Sequence, residues 1–151
     1  MGKKRVIKKT EKELLEEKEK VDKILRKEIS VGPSRELRRG RVYISSTYNN
    51  TIMTLTDFRG NVLLWRSAGN IGFKGTKKGT SYAASQVAQA IVALCQKLKI
   101  AEIDVFIKGI GGGRDTALKT LAGGQGLEIQ SIKDVTPVPH NGCRPRKPRR
   151  V

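Results

Sequence analysis

The run Arg41-Val42-Tyr43-Ile44-Ser45-Ser46-Thr47-Tyr48-Asn49-Asn50-Thr51-Ile52-Met53-Thr54-Leu55-Thr56-Asp57-Phe58-Arg59-Gly60-Asn61-Val62-Leu63-Leu64-Trp65-Arg66 decides the fold. Its β-branched and aromatic residues fall into three blocks, Val42 to Ile44, Thr51 to Thr56 and Val62 to Arg66. Tyr48-Asn49-Asn50 and Asp57-Phe58-Arg59-Gly60-Asn61 separate them. Such side chains suit a pleated, half-buried surface, while Asn, Asp and Gly suit the turns between. Loops this short predict an antiparallel meander of three strands. Tyr43, Trp65 and, further on, Phe106 lie in strand blocks and are expected in the core.

Downstream, Ala68 to Gly79 reads as a long loop with Gly at 69, 72, 75 and 79 and Lys at 74, 77 and 78. Thr80 to Leu98 has helical period, with Ala84, Val87, Ala88, Ile91, Leu94 or Cys95, and Leu98 along one face. Its alanines would let it lie close against a sheet. Ile103 to Ile107 is a short strand and Gly109 to Gly113 a glycine turn. Asp115 to Ala122 is a second helix, capped by Asp115 and ended by Gly123-Gly124, and Leu127 to Val135 is a last strand. The order β-β-β-α-β-α-β predicts an α/β fold, a mixed sheet with helices covering its faces, over residues 41–135.

Extensions flank this globular part. From Thr136 onward, prolines at 137, 139, 145 and 148 alternate with basic residues, so residues 136–151 form a tail unable to build regular structure alone. Residues 1–40 form a charged N-terminal extension with a helix over 10–29. There Glu16/Lys20, Glu19/Lys23 and Asp22/Arg26 are acid-before-base pairs at i,i+4, with a narrow apolar stripe of Leu14, Leu15, Val21, Ile24, Leu25 and Ile29. Gly32-Pro33-Ser34 ends it as a hinge.

The 151-residue chain carries 31 Lys and Arg against 14 Asp and Glu, a net charge of +17. Self-repulsion at that density opposes a compact state unless a polyanion neutralises it, which makes nucleic acid or an anionic membrane the first partners to consider. Residues 1–40 hold 14 basic and 8 acidic residues, residues 41–140 hold 12 and 6, and the last eleven hold 5 and none. The tail is the densest part. No run of about 18 apolar residues exists and no apolar block follows the basic residues of positions 1–10, so neither a transmembrane protein nor a Sec export substrate is expected. Two cysteines, Cys95 and Cys143, without a C-x-x-C pair, point to a reducing compartment.

Lys108-Gly109-Ile110-Gly111-Gly112-Gly113-Arg114-Asp115 lies between a strand and a helix. Glycines there would let backbone amides approach an anion, with the helix N-terminus, Lys108 and Arg114 adding positive charge. It is no dinucleotide fingerprint, because Arg114 stands where the third Gly belongs, and no P-loop string occurs. Gly72-Phe73-Lys74-Gly75 matches the G-x-x-G of KH domains but follows a strand instead of joining two helices. Asn49 and Asn50 are turn residues tolerant of positive φ; with Tyr48 beside them they also suit RNA contact through amide hydrogen bonds and ring stacking. Phe73 is the expected exposed aromatic platform.

Catalysis finds little support. His140 is the only histidine, and His140-x-x-Cys143 offers two ligands where a structural zinc site needs four. Asp57, Glu102, Asp104, Asp115, Glu128 and Asp134 are scattered singly, and the first strand lacks the carboxylates of a two-metal nuclease. Asn141-Gly142 is a turn signal and a pair prone to succinimide formation.

Together the strings Ser46-Thr47-Tyr48-Asn49-Asn50-Thr51-Ile52, Thr56-Asp57-x-x-Gly60-Asn61, Ser67-Ala68-Gly69, Gly72-Phe73-Lys74-Gly75-Thr76-Lys77-Lys78, Lys108-Gly109-x-Gly111-x-Gly113-Arg114 and Asp134-Val135-Thr136-Pro137-x-Pro139-His140-Asn141-Gly142-Cys143-Arg144-Pro145 closely resemble ribosomal protein eleven of the small subunit, of the bacterial and organellar type. The resemblance spans roughly residues 41–151. It implies a ribonuclease H-like motif without catalytic carboxylates, no enzymatic activity, no cofactor and no metal. It also implies a place on the platform of the small subunit, bound to small-subunit rRNA near the exit-side path of mRNA, with ribosomal protein eighteen among the neighbours. No membrane and no free homo-oligomer are implied, and the setting is the cytoplasmic ribosome or an organellar one.

Family RNA contacts carry over to Asn49, Asn50, Lys74, Lys77, Lys78, Arg114, Arg144, Arg146, Lys147, Arg149 and Arg150. Tyr48, Lys108, His140 and Asn141 complete the candidate rRNA-binding set, and Asn141 is also the position where relatives form isoaspartate. The family's usual glycine turn has Pro at the positions of Ile110 and Gly112, so the turn here is expected to be less rigid. The 10–29 segment has no counterpart in the family's short basic arm, and it is expected to dock on a neighbouring protein or RNA surface. Two other functions fit parts of the pattern: a free KH-like single-strand binder, and a nuclease-like enzyme using Asp57 or Asp104.

Overall fold

A computed structural model describes residues 38–144, 146 and 147; the helix expected over 10–29, and Arg149 and Arg150, lie outside the described residues. The three predicted strand blocks form β1 (Arg39–Ser46), β2 (Thr51–Asp57) and β3 (Val62–Ser67), an antiparallel meander. The first helix, α1, spans Ser81–Lys97; Thr80 caps it by accepting the Ala83 amide at 3.2 Å. Then come β4 (Glu102–Lys108), α2 (Arg114–Ala122) and β5 (Glu128–Asp134). The sheet order is β3-β2-β1-β4-β5, with β4 parallel to both β1 and β5, so the predicted mixed α/β sheet is present.

Alternation along the strands selects the buried face. Val42 and Ile44, Met53 and Leu55, and Ile103, Val105 and Ile107 are buried on one side of the sheet. They pack against Ala84, Val87, Ala88 and Ile91 of α1 and Ala117 and Leu121 of α2 in one cluster. Among the described residues the helices cover this face alone, not both faces as expected. The crossovers from β3 to β4 and from β4 to β5 move the same way across the sheet, and crossovers of one hand moving one way lay their helices on one side.

Four aromatic expectations change. Tyr43, Phe106 and Trp65 sit on the uncovered face; Tyr43 and Phe106 are half-buried and Trp65 is 53% exposed. Phe73, expected as an exposed platform, instead packs against the core and meets Tyr82 edge-on, ring centroids 5.9 Å apart. The long loop after β3 contains a short 3-10 helix, Gly75–Gly79. Asp115 does not cap α2. The N-cap is Gly113, which has no side chain to cap with, and the Arg114 amide donates to the Gly111 carbonyl at 3.2 Å.

Candidate nucleic-acid interface

Strand direction gathers the candidate residues. β1, β3, β4 and β5 all run the same way and only β2 opposes them. Their C-terminal ends therefore share one edge, where open α/β sheets commonly bind ligands. At that edge lie the β1–β2 hairpin with Tyr48, Asn49 and Asn50, the loop with Lys74, Lys77 and Lys78, Lys108 with the glycine turn, and the start of the C-terminal tail.

Specific contacts tie these pieces together. The Gly111 amide donates to the Ser46 carbonyl at 3.1 Å, and the Ser81 hydroxyl donates to the Gly112 carbonyl at 3.0 Å. A Cβ on Gly79 would overlap the Tyr48 carbonyl oxygen, so the lysine loop reaches the hairpin only through a glycine. The same holds at Gly109, whose φ is +101° and whose Cβ would run into the Ser46 carbonyl.

The glycine turn thus approaches protein backbone where an approach to an anion was expected. Two of its amides are engaged: Gly111 with Ser46, and Gly109 with the Thr136 hydroxyl at 3.0 Å. The positive charge at this edge is carried by side chains.

Arg114 is the most constrained of them. Its guanidinium donates to the Gly109 carbonyl at 3.0 Å, to the Thr136 hydroxyl at 3.4 Å and to the Asp134 carboxylate at 2.6 Å. Asp134 also accepts from the Thr136 hydroxyl at 2.6 Å and the Thr136 amide at 2.9 Å. Those Thr136 bonds, then the Arg114 bond, hold the Asp134 carboxyl well below the usual carboxylate range. This clasp joins the glycine turn to the root of the tail. Sequence reasoning quoted Asp134 and Thr136 within a motif without finding their role, since they lie 20 and 22 positions from Arg114.

The other candidates are open to solvent. Tyr48 is 75% exposed at the hairpin tip; Asn49, Lys74, Lys77 and Lys108 are exposed and Lys78 is half-buried. Thr47 and Asn50 close the hairpin, the Thr47 amide donating to the Asn50 carbonyl at 2.9 Å, while Asn50 Oδ1 is buried and has no hydrogen-bond partner. Neither Asn49 nor Asn50 takes positive φ, whereas Asn141 does, at 54°, in agreement with a turn at Asn141-Gly142. His140, Asn141, Arg144, Arg146 and Lys147 are exposed along the tail.

Two carboxylates and a thiol that could act chemically are tied up or buried. Asp57 accepts from the Asn61 amide and side chain, both at 2.8 Å, and Asp104 accepts from Ser131 at 2.6 Å and Arg39 at 3.3 Å. Burial pushes the Cys95 thiol up to about 12, which keeps it protonated and unreactive. Among the described residues no three His, Cys, Asp or Glu side chains group to hold a metal ion, and no helix is long and apolar enough to cross a membrane.

A family profile described as Ribosomal protein S11 matches residues 40–150. The chain belongs to the ribosomal protein S11 family. Its relatives include proteins named small ribosomal subunit protein uS11. That of Nautilia profundicola is 51% identical over 117 residues, covering 78% of this chain and 90% of the relative. That of Treponema pallidum is 54% identical over 112 residues, covering 74% and 88%. That of Thermotoga maritima is 55% identical over 112 residues, covering 74% and 85%. The S11 profile begins at the β1 strand, so residues 1–39 precede the matched region. Membership accounts for a site built of cations, amides and loops, because S11 proteins are structural components and not enzymes.

Proposed function

We propose that this S11 protein is a structural constituent of the small ribosomal subunit that binds and stabilises small-subunit rRNA at the platform, near the exit-side mRNA path and beside ribosomal protein eighteen. The observation that carries the proposal is the convergence of the hairpin tip, the lysine loop, Lys108 and the tail root on the C-terminal edge of one sheet. Lys74, Lys77, Lys78 and Lys108 supply phosphate contacts there, and Tyr48 and Asn49 supply a ring and an amide for exposed bases. The unpartnered Asn50 Oδ1 suits a donor such as a ribose 2′-hydroxyl or an exocyclic amine. Arg114 acts from behind by holding the turn and the tail in one geometry. From that root the tail, with Arg144, Arg146, Lys147, Arg149 and Arg150, threads between RNA helices.

The test is sedimentation of cell extract after a high-salt wash. The protein is expected to remain with small subunits, and recovery only in the free fraction would refute the proposal. A free single-strand binder would give that second result.

A further inference from the structure

The sheet face turned away from the helices has no cover among the described residues, and its chemistry is not that of an ordinary solvated surface. Trp65, Thr54, Tyr43, Phe106 and Lys133 stand in register across all five strands. Strands lie about 4.8 Å apart, so the row spans roughly 19 Å. The Tyr43 and Phe106 rings are stacked, centroids 4.9 Å apart and planes 15° from parallel. Phe58 takes the Arg39 and Arg41 guanidinium groups over its ring at 5.2 and 4.6 Å, and the Lys133 ammonium lies 5.8 Å from the Phe106 centroid. Arg41 Nε is buried and makes no hydrogen bond.

Charge decides the kind of partner. The carboxylates of this face gather toward the strand end opposite the candidate interface, where Glu102 lies 3.8 Å from Arg38 and Asp104 is held by Arg39 and Ser131. The other half, with Tyr43, Trp65, Phe106, Lys108 and Lys133, is aromatic and cationic, and through Lys108 it runs into the C-terminal edge. Rings beside cations and away from carboxylates match unpaired nucleotides, whose bases stack on aromatic faces while their phosphates seek positive charge.

We propose that this open face is a second RNA contact, on which unpaired nucleotides stack against Trp65 and the Tyr43–Phe106 pair while Lys108 and Lys133 hold the adjoining phosphates. It rests on the rRNA-binding reading for its continuity with the C-terminal edge.

Trp65 is the only tryptophan of the chain, so its fluorescence reports on this face alone. The full chain is titrated at low salt with an unstructured RNA and with a paired duplex of equal length. Saturable quenching by the single strand and little by the duplex is expected. Trp65→Ala should weaken single-strand binding by about fivefold or more, and Trp65→Phe, which keeps a ring, should restore most of it. In assembled small subunits, a photo-crosslinker placed at position 65 should capture RNA. Absence of quenching, unchanged affinity in Trp65→Ala, or capture of a protein would overturn the inference. If wild-type chain still binds small-subunit rRNA in that case, only the open-face contact fails; if it binds no rRNA, the proposed function fails as well.

Discussion

Arg114 shows how a residue that reads as a phosphate contact can work as a structural one. Its planar fork reaches the Gly109 carbonyl, Thr136 and Asp134 at once, a pattern that a lysine ammonium on a flexible stem does not reproduce. Arg114→Lys keeps the charge and is expected to cost about 1–3 kcal/mol of stability, measured by urea denaturation. Unchanged stability would mean that the clasp contributes nothing. The carboxylates make a second prediction. Asp134, Asp104 and Asp57 are all held below their ordinary value by hydrogen bonds, from Thr136, Ser131 and Asn61 respectively as the leading cause. A depressed folded-state pKa binds fewer protons than the unfolded chain. The stabilisation is therefore complete above the unfolded value of about 4 and is lost as pH falls below it toward the folded values. Melting temperature should drop steeply in that acid range, and Asp134→Asn should flatten the drop.

At the scale of elements, much was legible. Three β-rich blocks with short Asn- and Gly-containing turns could only be a meander, and the helix at 80–98 was visible in its alanine and aliphatic period. The alternation of Val42 and Ile44 with Tyr43, and of Val105 and Ile107 with Phe106, already divided each strand into two faces. What alternation cannot tell is whether the second face is covered, since that depends on strand order and crossover direction. The glycine turn was located correctly between strand and helix, but its packing partners Ser46 and Thr136 are distant in sequence, so the protein backbone pressed against it was not readable. Gly109→Ala tests this packing. Its positive φ and the Ser46 carbonyl both oppose a methyl group, and a loss of more than about 1 kcal/mol in chemical denaturation is expected, whereas a neutral substitution would show the approach to be loose.

For the whole molecule, one topological fact organises the account. Four strands pointing the same way deliver the hairpin, the lysine loop, the glycine turn and the root of the tail to a single edge, and the two same-direction crossovers put both described helices on one sheet face, leaving the other without cover among the described residues. The net charge of +17 alone indicated only a polyanionic partner; the placement of Lys74, Lys77, Lys78 and Lys108 on that edge, beside the root of the basic tail, turns it into an oriented surface. The most direct test of that surface is the salt dependence of affinity for small-subunit rRNA, measured for the full chain and for a chain lacking residues 144–151. For about 6 to 10 phosphate contacts, affinity should fall by roughly a thousandfold to a hundred-thousandfold between about 50 and 200 mM salt. The truncated chain should bind more weakly and with a shallower slope. A flat response, or identical slopes for the two chains, would contradict binding led by this edge and its tail.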